Sequence, residues 1–177
     1  QAHEGQVRKS TTIPYISHPM AVSAIALEFG ASEDQAIAAL LHDAIEDGGI
    51  KYVDLIGDQF GPYVLELVQG CTDGTPDHTG KKINWLERKT PYLAHLEKAS
   101  DEVLLVSCSD KLHNARAIVN DLINEGQSVF DRFNATKVQT LWYYRQLANI
   151  FTNRKCPPAK ALETAVSQME ALSDSAR

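Results

Sequence analysis

Cysteine is scarce in this chain. Cys71, Cys108 and Cys156 are the only three among 177 residues, and no two share a C-x-x-C spacing. That excludes a disulfide framework and a cysteine zinc cage, and leaves three small apolar fillers suited to a reducing compartment. No apolar run approaches the ~20 residues that span a bilayer, and no secretory leader is expected. Basic excess is missing as well. The formal net charge is −6, which argues against a nucleic-acid partner while leaving room for a small anion in a local basic pocket. Alternating strand patterns and internal repeats are also absent. The expected location is the cytoplasm, with no membrane contact; nothing in the sequence sets an oligomeric state.

What is present is helical patterning. Hydrophobic residues make up 44% and charged residues 23%, the balance of one globular domain over residues 1–177. Gln1 to Gln6 reads as the end of a helix, so residues upstream of Gln1 are expected. Ser17-His18-Pro19 opens a helix that Gly30 stops. Ser32 and Gln35 form a capping box for the next, which is expected to run on through His42-Asp43 to Gly48-Gly49. A helix ending at Gly61 and one starting at Pro62 follow. Residues 72–80 read as a loop, and Pro91 is expected to break or kink a helix over 81–98. Ser100 or Asp101, Asn134, and Pro157-Pro158 mark the starts of three more. The reading is all-α, a single bundle of about eight helices.

The chemistry concentrates in Leu40-Leu41-His42-Asp43-Ala44-Ile45-Glu46-Asp47. On a continuous helix His42, Glu46, Asp43 and Asp47 fall at roughly 0°, 40°, 100° and 140°. Imidazole and carboxylate on one side suit a divalent cation of the Mn, Fe or Zn type. Acids at a helix C-terminal end oppose the helix dipole, which a bound cation would compensate. A solvated acidic helix end is the plain alternative. Two further segments offer ligand types. His18 precedes Pro19 at a helix start. Asp110 lies inside an apolar helical stretch, where a buried carboxylate needs a cation or donor. Its neighbour Lys111 projects about 100° away and is not expected to serve it. His18, His42, Asp43 and Asp110 make two imidazoles and two carboxylates.

This order of segments resembles the HD-domain metal phosphohydrolases. His3-Glu-Gly-Gln-Val-Arg-Lys9, Pro14-Tyr-Ile-Ser-His-Pro19, Leu41-His-Asp-Ala-Ile-Glu-Asp47 and Ser109-Asp-Lys-Leu-His-Asn-Ala-Arg116 are similar to the hydrolase domain of the RelA/SpoT family, most of all its stand-alone small alarmone hydrolases. The resemblance covers roughly residues 1–151. It implies an HD-type domain with one Mn²⁺ on His18, His42, Asp43 and Asp110. It also implies removal of the 3′-pyrophosphate from guanosine tetra- or pentaphosphate, with Glu46 and Asp47 as the catalytic pair. Arg8, Lys9, Asn114 and, less strongly, Tyr144 are the implied nucleotide contacts.

Two departures from the family pattern bear on selectivity: Ala117, where a hydroxyl residue is frequent, and the loop Asp73–Gly80. A related phosphatase acting on NADPH or an adenine alarmone is the second enzyme reading. A nucleotide sensor with a decayed site is the non-enzyme reading, and an intact Glu46-Asp47 argues against it. Lys81, Lys82, Arg88 and Lys89 form a second basic cluster, read equally as phosphate contacts or a solvated face. His3 is expected to tether the first loop, and His113 to pack or hydrogen-bond. His78 and His95 are expected at the surface, and Trp85, Trp142 and Tyr143 in helix packing.

Overall fold

The computed structural model describes residues 2–74 and 84–174. Among them are eight α-helices and no strand: α1 (Ser17–Glu28), α2 (Glu33–Leu41), α3 (Ala44–Gly48), α4 (Lys51–Cys71), α5 (Trp85–Leu96), α6 (Asp101–Glu125), α7 (Lys137–Asn153) and α8 (Ala159–Asp174). A 3-10 segment, Gly126–Arg132, links α6 to α7. Extended structure is limited to an isolated antiparallel bridge, Val7 to Pro14, which closes the loop carrying Arg8 and Lys9. Lys81, Lys82 and His78 lie outside the described residues, as does most of the Asp73–Gly80 loop.

The long α6 is the axis of the domain. At about 1.5 Å per residue it runs roughly 37 Å, and α1, α2, α4, α7 and α8 all pack against it. The sequence explains why. Leu104, Val106, Cys108, Leu112 and Ala115 are buried in succession, so α6 has few positions that tolerate water. Its side facing α4 meets Gly70, where an added Cβ would come within 2.7 Å of Val103 Cγ2. The absent side chain lets the two helices approach closely. Ser100 caps α6 by accepting from the Val103 amide. All three cysteines are free and buried, as fillers should be; burial lifts the Cys71 thiol to about 12.

Several boundaries differ from the sequence reading. Residues 2–5 form turns rather than a helix end. The expected continuous helix breaks at His42-Asp43. His42 closes α2, and Asp43, at φ −93° and ψ −3°, precedes α3. The helix over Lys51–Cys71 is interrupted at Gly61, whose φ of 87° ends one run before Pro62 begins the next, as read. Pro91 neither breaks nor ends α5. Burial of Tyr92, Leu93 and Leu96 on one face outweighs the single backbone bond that proline forfeits. Thr136, not Asn134, caps α7, because Gln139 stands three residues on and completes a capping box.

Candidate metal centre

The break at His42-Asp43 serves the site. At the end of α2, the His42 ring turns back so that its Nδ1 lies 2.7 Å from the Ala39 carbonyl. That bond makes Nδ1 a protonated nitrogen and leaves Nε2 facing inward, toward the carboxylates. His18 arrives from the first turn of α1, and Asp110 from the middle of α6. One ligand atom from each of His18, His42 and Asp110 falls within 4.8 Å of the other two. Asp43 closes the group: its Oδ2 is 3.5 Å from His18 Nε2 and 3.1 Å from His42 Nε2. Asp110 Oδ1 is 3.1 Å and 3.6 Å from the same two nitrogens.

These are buried polar groups with incomplete pairing. His42 Nε2 is inaccessible to solvent and, among the described residues, has no partner in hydrogen-bonding geometry, although Asp43 Oδ2 stands 3.1 Å away. A buried polar nitrogen without a well-aligned partner costs stability unless something fills the space. Burial disfavours the His42 imidazolium, yet Asp43 and Asp110 together hold its pKa well above the ordinary value. Burial likewise disfavours both carboxylate anions, but His42 and His18 hold Asp43 well below its usual range. For Asp110 the Lys111 ammonium is the largest opposing charge. Two imidazoles and two anionic carboxylates converging on one point are a divalent-cation donor set.

Lys111 corrects the sequence reading. Its flexible stem folds back and places Nζ 2.6 Å from Asp110 Oδ2, despite the angle between the two Cβ directions. Asp110 also accepts from Asn114 Nδ2 at 2.6 Å. Asn114 in turn accepts from Arg8 Nη2 at 2.8 Å, so the first loop is tied through α6 to the cluster.

Three contacts around the cluster were not legible in the sequence. The Tyr15 hydroxyl donates to Asp43 Oδ2. Burial and the Asp43 charge hold that phenol protonated well above its ordinary value, so it remains a donor. His113 Nδ1 lies 2.8 Å from His18 Nδ1. Burial and the neighbouring His18 and Arg8 charges lower His113 to about 4, so it is neutral near pH 7 and able to accept from the His18 ring. His18 then presents Nε2 to the cluster, the arrangement seen in histidine ligands steadied by an outer partner. The third contact is Arg88, whose Nη1 stands 3.7 Å from Glu46 Oε1.

Glu46 is half-buried on α3 and leans toward Arg88; Asp47 is exposed, 3.9 Å from His3 Nδ1. His3 also bonds Gln6 at 2.7 Å and stacks near Tyr15, the tether expected of it. Arg88 and Lys89 do not form a solvated face. Both hold Asp73, with Arg88 Nη1 2.6 Å from Asp73 Oδ1. His95 is exposed, Tyr143 is buried against Trp85, and Trp142 is partly exposed at 38%.

A cavity of about 450 Å³ opens beside the cluster. Arg8, Lys9, Asn114 and Tyr144 all line it, together with Tyr15 and His113, which touch the candidate ligands. Its volume lies in the range of small-molecule sites. Ala117 also lines it and offers no hydroxyl there.

The HD-domain family model matches residues 1–141. The bifunctional (p)ppGpp synthase/hydrolase SpoT of Escherichia coli is 35% identical over 123 residues, which is 66% of this chain and 16% of that protein. The guanosine-3′,5′-bis(diphosphate) 3′-pyrophosphohydrolase of Haemophilus influenzae is 33% identical over 126 residues, 66% of this chain and 17% of its own length. The chain therefore spans about a sixth of these relatives. Among solved structures, a Listeria monocytogenes protein superposes with a TM-score of 0.73 at 26% identity, covering 89% of this chain and 99% of its own. A metazoan ortholog of SpoT, described as hydrolysing ppGpp, gives 0.70 at 25%, covering 98% and 89%. Among the described residues, no helix is long and apolar enough to cross a membrane.

Proposed function

The chain belongs to the HD-domain family, and from that premise we propose that it is a metal-dependent nucleotide hydrolase that removes the 3′-pyrophosphate of guanosine tetra- or pentaphosphate. The products are GDP or GTP and pyrophosphate. The observation that carries the reading is the buried His18–His42–Asp110 group joined by the partly exposed Asp43, with His42 Nε2 lacking a hydrogen-bond partner among the described residues, beside a cavity lined by Arg8, Lys9 and Asn114. The relatives' names point the same way.

His18, His42, Asp43 and Asp110 would hold the cation, and Mn²⁺ suits this mixed imidazole–carboxylate set. When bound, such an ion supplies an acidified water and a polarised phosphoryl oxygen. The protein's own groups do the rest. Glu46 takes the proton from the attacking water, and Asp47 orients that water or supports Glu46. Water oxygen bonds to phosphorus, the bond from phosphorus to the 3′-oxygen breaks, and a proton ends on that oxygen. Arg8 forks onto phosphate or stacks on the base; Lys9 adds a point charge. Asn114 joins Arg8 to Asp110 and so couples nucleotide contact to the cluster. Tyr144 walls the cavity.

The test is a nucleotide panel with Mn²⁺: guanosine bis(diphosphate), an adenine counterpart and NADPH, following pyrophosphate against orthophosphate. Pyrophosphate release from the guanosine compound is expected. Orthophosphate release from NADPH alone assigns the second enzyme reading. Binding without turnover assigns the sensor.

A further inference from the structure

Glu46 sits on α3, a helix of five residues without a side-chain cap, ended by Gly49 at φ 87°. Ala44 and Ile45 fasten that turn to the core. Neither restrains the torsions of a glutamate side chain, so its carboxylate needs a tertiary partner to hold one direction. Arg88 of α5 supplies one. Its Nη1 stands 3.7 Å from Glu46 Oε1 and 2.6 Å from Asp73 Oδ1. The short distance is a charge-assisted hydrogen bond and the long one a looser ion pair. Asp73 is therefore the anchor, and Glu46 the group that is guided. The anchor is firm. Asp73 is buried just after α4, and Lys89 pairs with it as well. Burial disfavours its anion, but the Lys89, Lys111 and Arg88 charges hold its pKa below the ordinary value.

Arg88 is not satisfied in the way a purely structural arginine is. Arg154 donates from its two terminal nitrogens to the carbonyls of Leu96, Glu97 and Ala99 and to Asp101, closing the turn between α5 and α6. Arg88 is more deeply buried, with 11% of its side chain exposed against 29% for Arg154. Yet its Nε has no hydrogen-bond partner among the described residues. An unmet buried donor is costly, and neutralising Asp73 does not require it, because Lys89 already does so. The guanidinium adds what an ammonium lacks: a rigid planar fork that fixes direction, with a charge that persists at every working pH. A general base must be anionic and aimed before the water gives up its proton.

We infer that Arg88 is a positioning residue for Glu46: braced on Asp73, it aims the Glu46 carboxylate at the attacking water and makes no contact with the nucleotide. That role rests on the hydrolase reading, in which Glu46 receives the water's proton. It ties turnover to the end of α4 and the first turn of α5, from which Asp73 and Arg88 come.

Two double-mutant cycles on the full chain test it. The first needs no turnover. Thermal midpoints are measured for the parent, Arg88→Met, Glu46→Gln and the double variant. The loss in the double variant should be smaller than the two single losses together, as for a coupled pair. Additive losses overturn the contact. The second cycle uses the Mn²⁺-loaded proteins on guanosine bis(diphosphate). Arg88→Met should lower kcat about 10²-fold, the order that a misaimed group costs, with KM and bound Mn²⁺ per chain unchanged. Arg88→Lys should recover part of it. In the Glu46→Gln background the same Arg88→Met change should cost less than about twofold, because the group it aims is gone. A further loss of about 10²-fold in that background, a raised KM or lost metal overturns the role and assigns Arg88 to the substrate or the metal centre. If Arg88→Met does not fold, Asp73→Asn replaces it in both cycles. That variant removes the brace and keeps the guanidinium, and should lower kcat about tenfold, again only while Glu46 is present. If the parent turns over no guanosine compound, the hydrolase reading fails and the catalytic role of Arg88 fails with it, while the midpoint cycle still decides the pairing.

Discussion

Two charged clusters in this domain show opposite kinds of accounting. On the outer face of α7 and α8, Arg145 reaches Glu163 at 2.6 Å and Glu170 at 2.5 Å, with Ser167 at 3.4 Å. Every partner is present, and the side chains are about a third exposed: 29%, 40% and 35%. That network is complete and needs nothing else. In the His18–His42–Asp43–Asp110 cluster all but Asp43 are buried, and the cluster is incomplete, with an imidazole nitrogen aimed into it that has no hydrogen-bond partner among the described residues. Four of its short N···O distances bring charges together where desolvation is costly. Saturated charge at a surface staples two helices. Unsaturated buried charge marks a place where a ligand belongs.

The comparison sharpens most at Glu46 and Asp110, where turnover and metal binding separate. Glu46→Gln keeps the shape and removes a proton carrier. It should lose roughly 10²–10⁴-fold in turnover while retaining one metal ion per chain. Asp110→Asn should lose metal and turnover together. Bound Mn²⁺ beside kcat for both variants checks this, and metal loss in Glu46→Gln makes Glu46 a ligand.

Next in size is the outer ring of the cluster. His113→Phe removes the acceptor for His18 and should weaken Mn²⁺ binding about 10–100-fold, with His113→Gln recovering part of it. Equal Kd values for Phe and parent would remove His113 from the account. Arg8→Ala should raise KM for the nucleotide and leave the metal Kd unchanged, which titration and steady-state kinetics measure side by side.

A pH effect follows from His42. Its pKa is raised, so a proton occupies the imidazole to higher pH than usual, and a metal must displace it. Affinity for Mn²⁺ should therefore rise by about tenfold per pH unit until pH passes that raised value, then level off. Calorimetry in buffers of different ionisation enthalpy should show proton release; a flat profile contradicts the assignment. The smallest expected effect lies in the other cluster. Arg145→Ala should cost no more than about 1 kcal/mol in denaturant unfolding and leave metal binding untouched, because its ion pairs are screened by water.

The sequence carried much of this site, for identifiable reasons. His18, His42, Asp43 and Asp110 sit in short segments whose residue types are conspicuous, and the structure brings all four together. The partners that steady them could not be read in the same way. Tyr15 meets Asp43 across 28 positions, and His113 meets His18 across 95, so only tertiary packing reveals them. Lys111 was misjudged because a wheel projects Cβ directions and ignores the reach of a four-carbon stem. The helix count held because apolar periodicity is strong along most of the chain. The break at His42-Asp43 carries no glycine or proline to announce it; a side chain turning toward Ala39 makes it. The cap of α7 was legible in the Thr136-x-x-Gln139 spacing, and Asn134 was the weaker candidate beside it.

The most direct measurement is a titration of Mn²⁺ into chelator-treated parent and into Asp43→Asn, Asp110→Asn and Arg145→Ala, with metal per chain counted independently. The account predicts one site in the parent, the same site in Arg145→Ala, and its loss in both aspartate variants. Full-strength binding in a folded Asp110→Asn, or no binding in the parent, would contradict it.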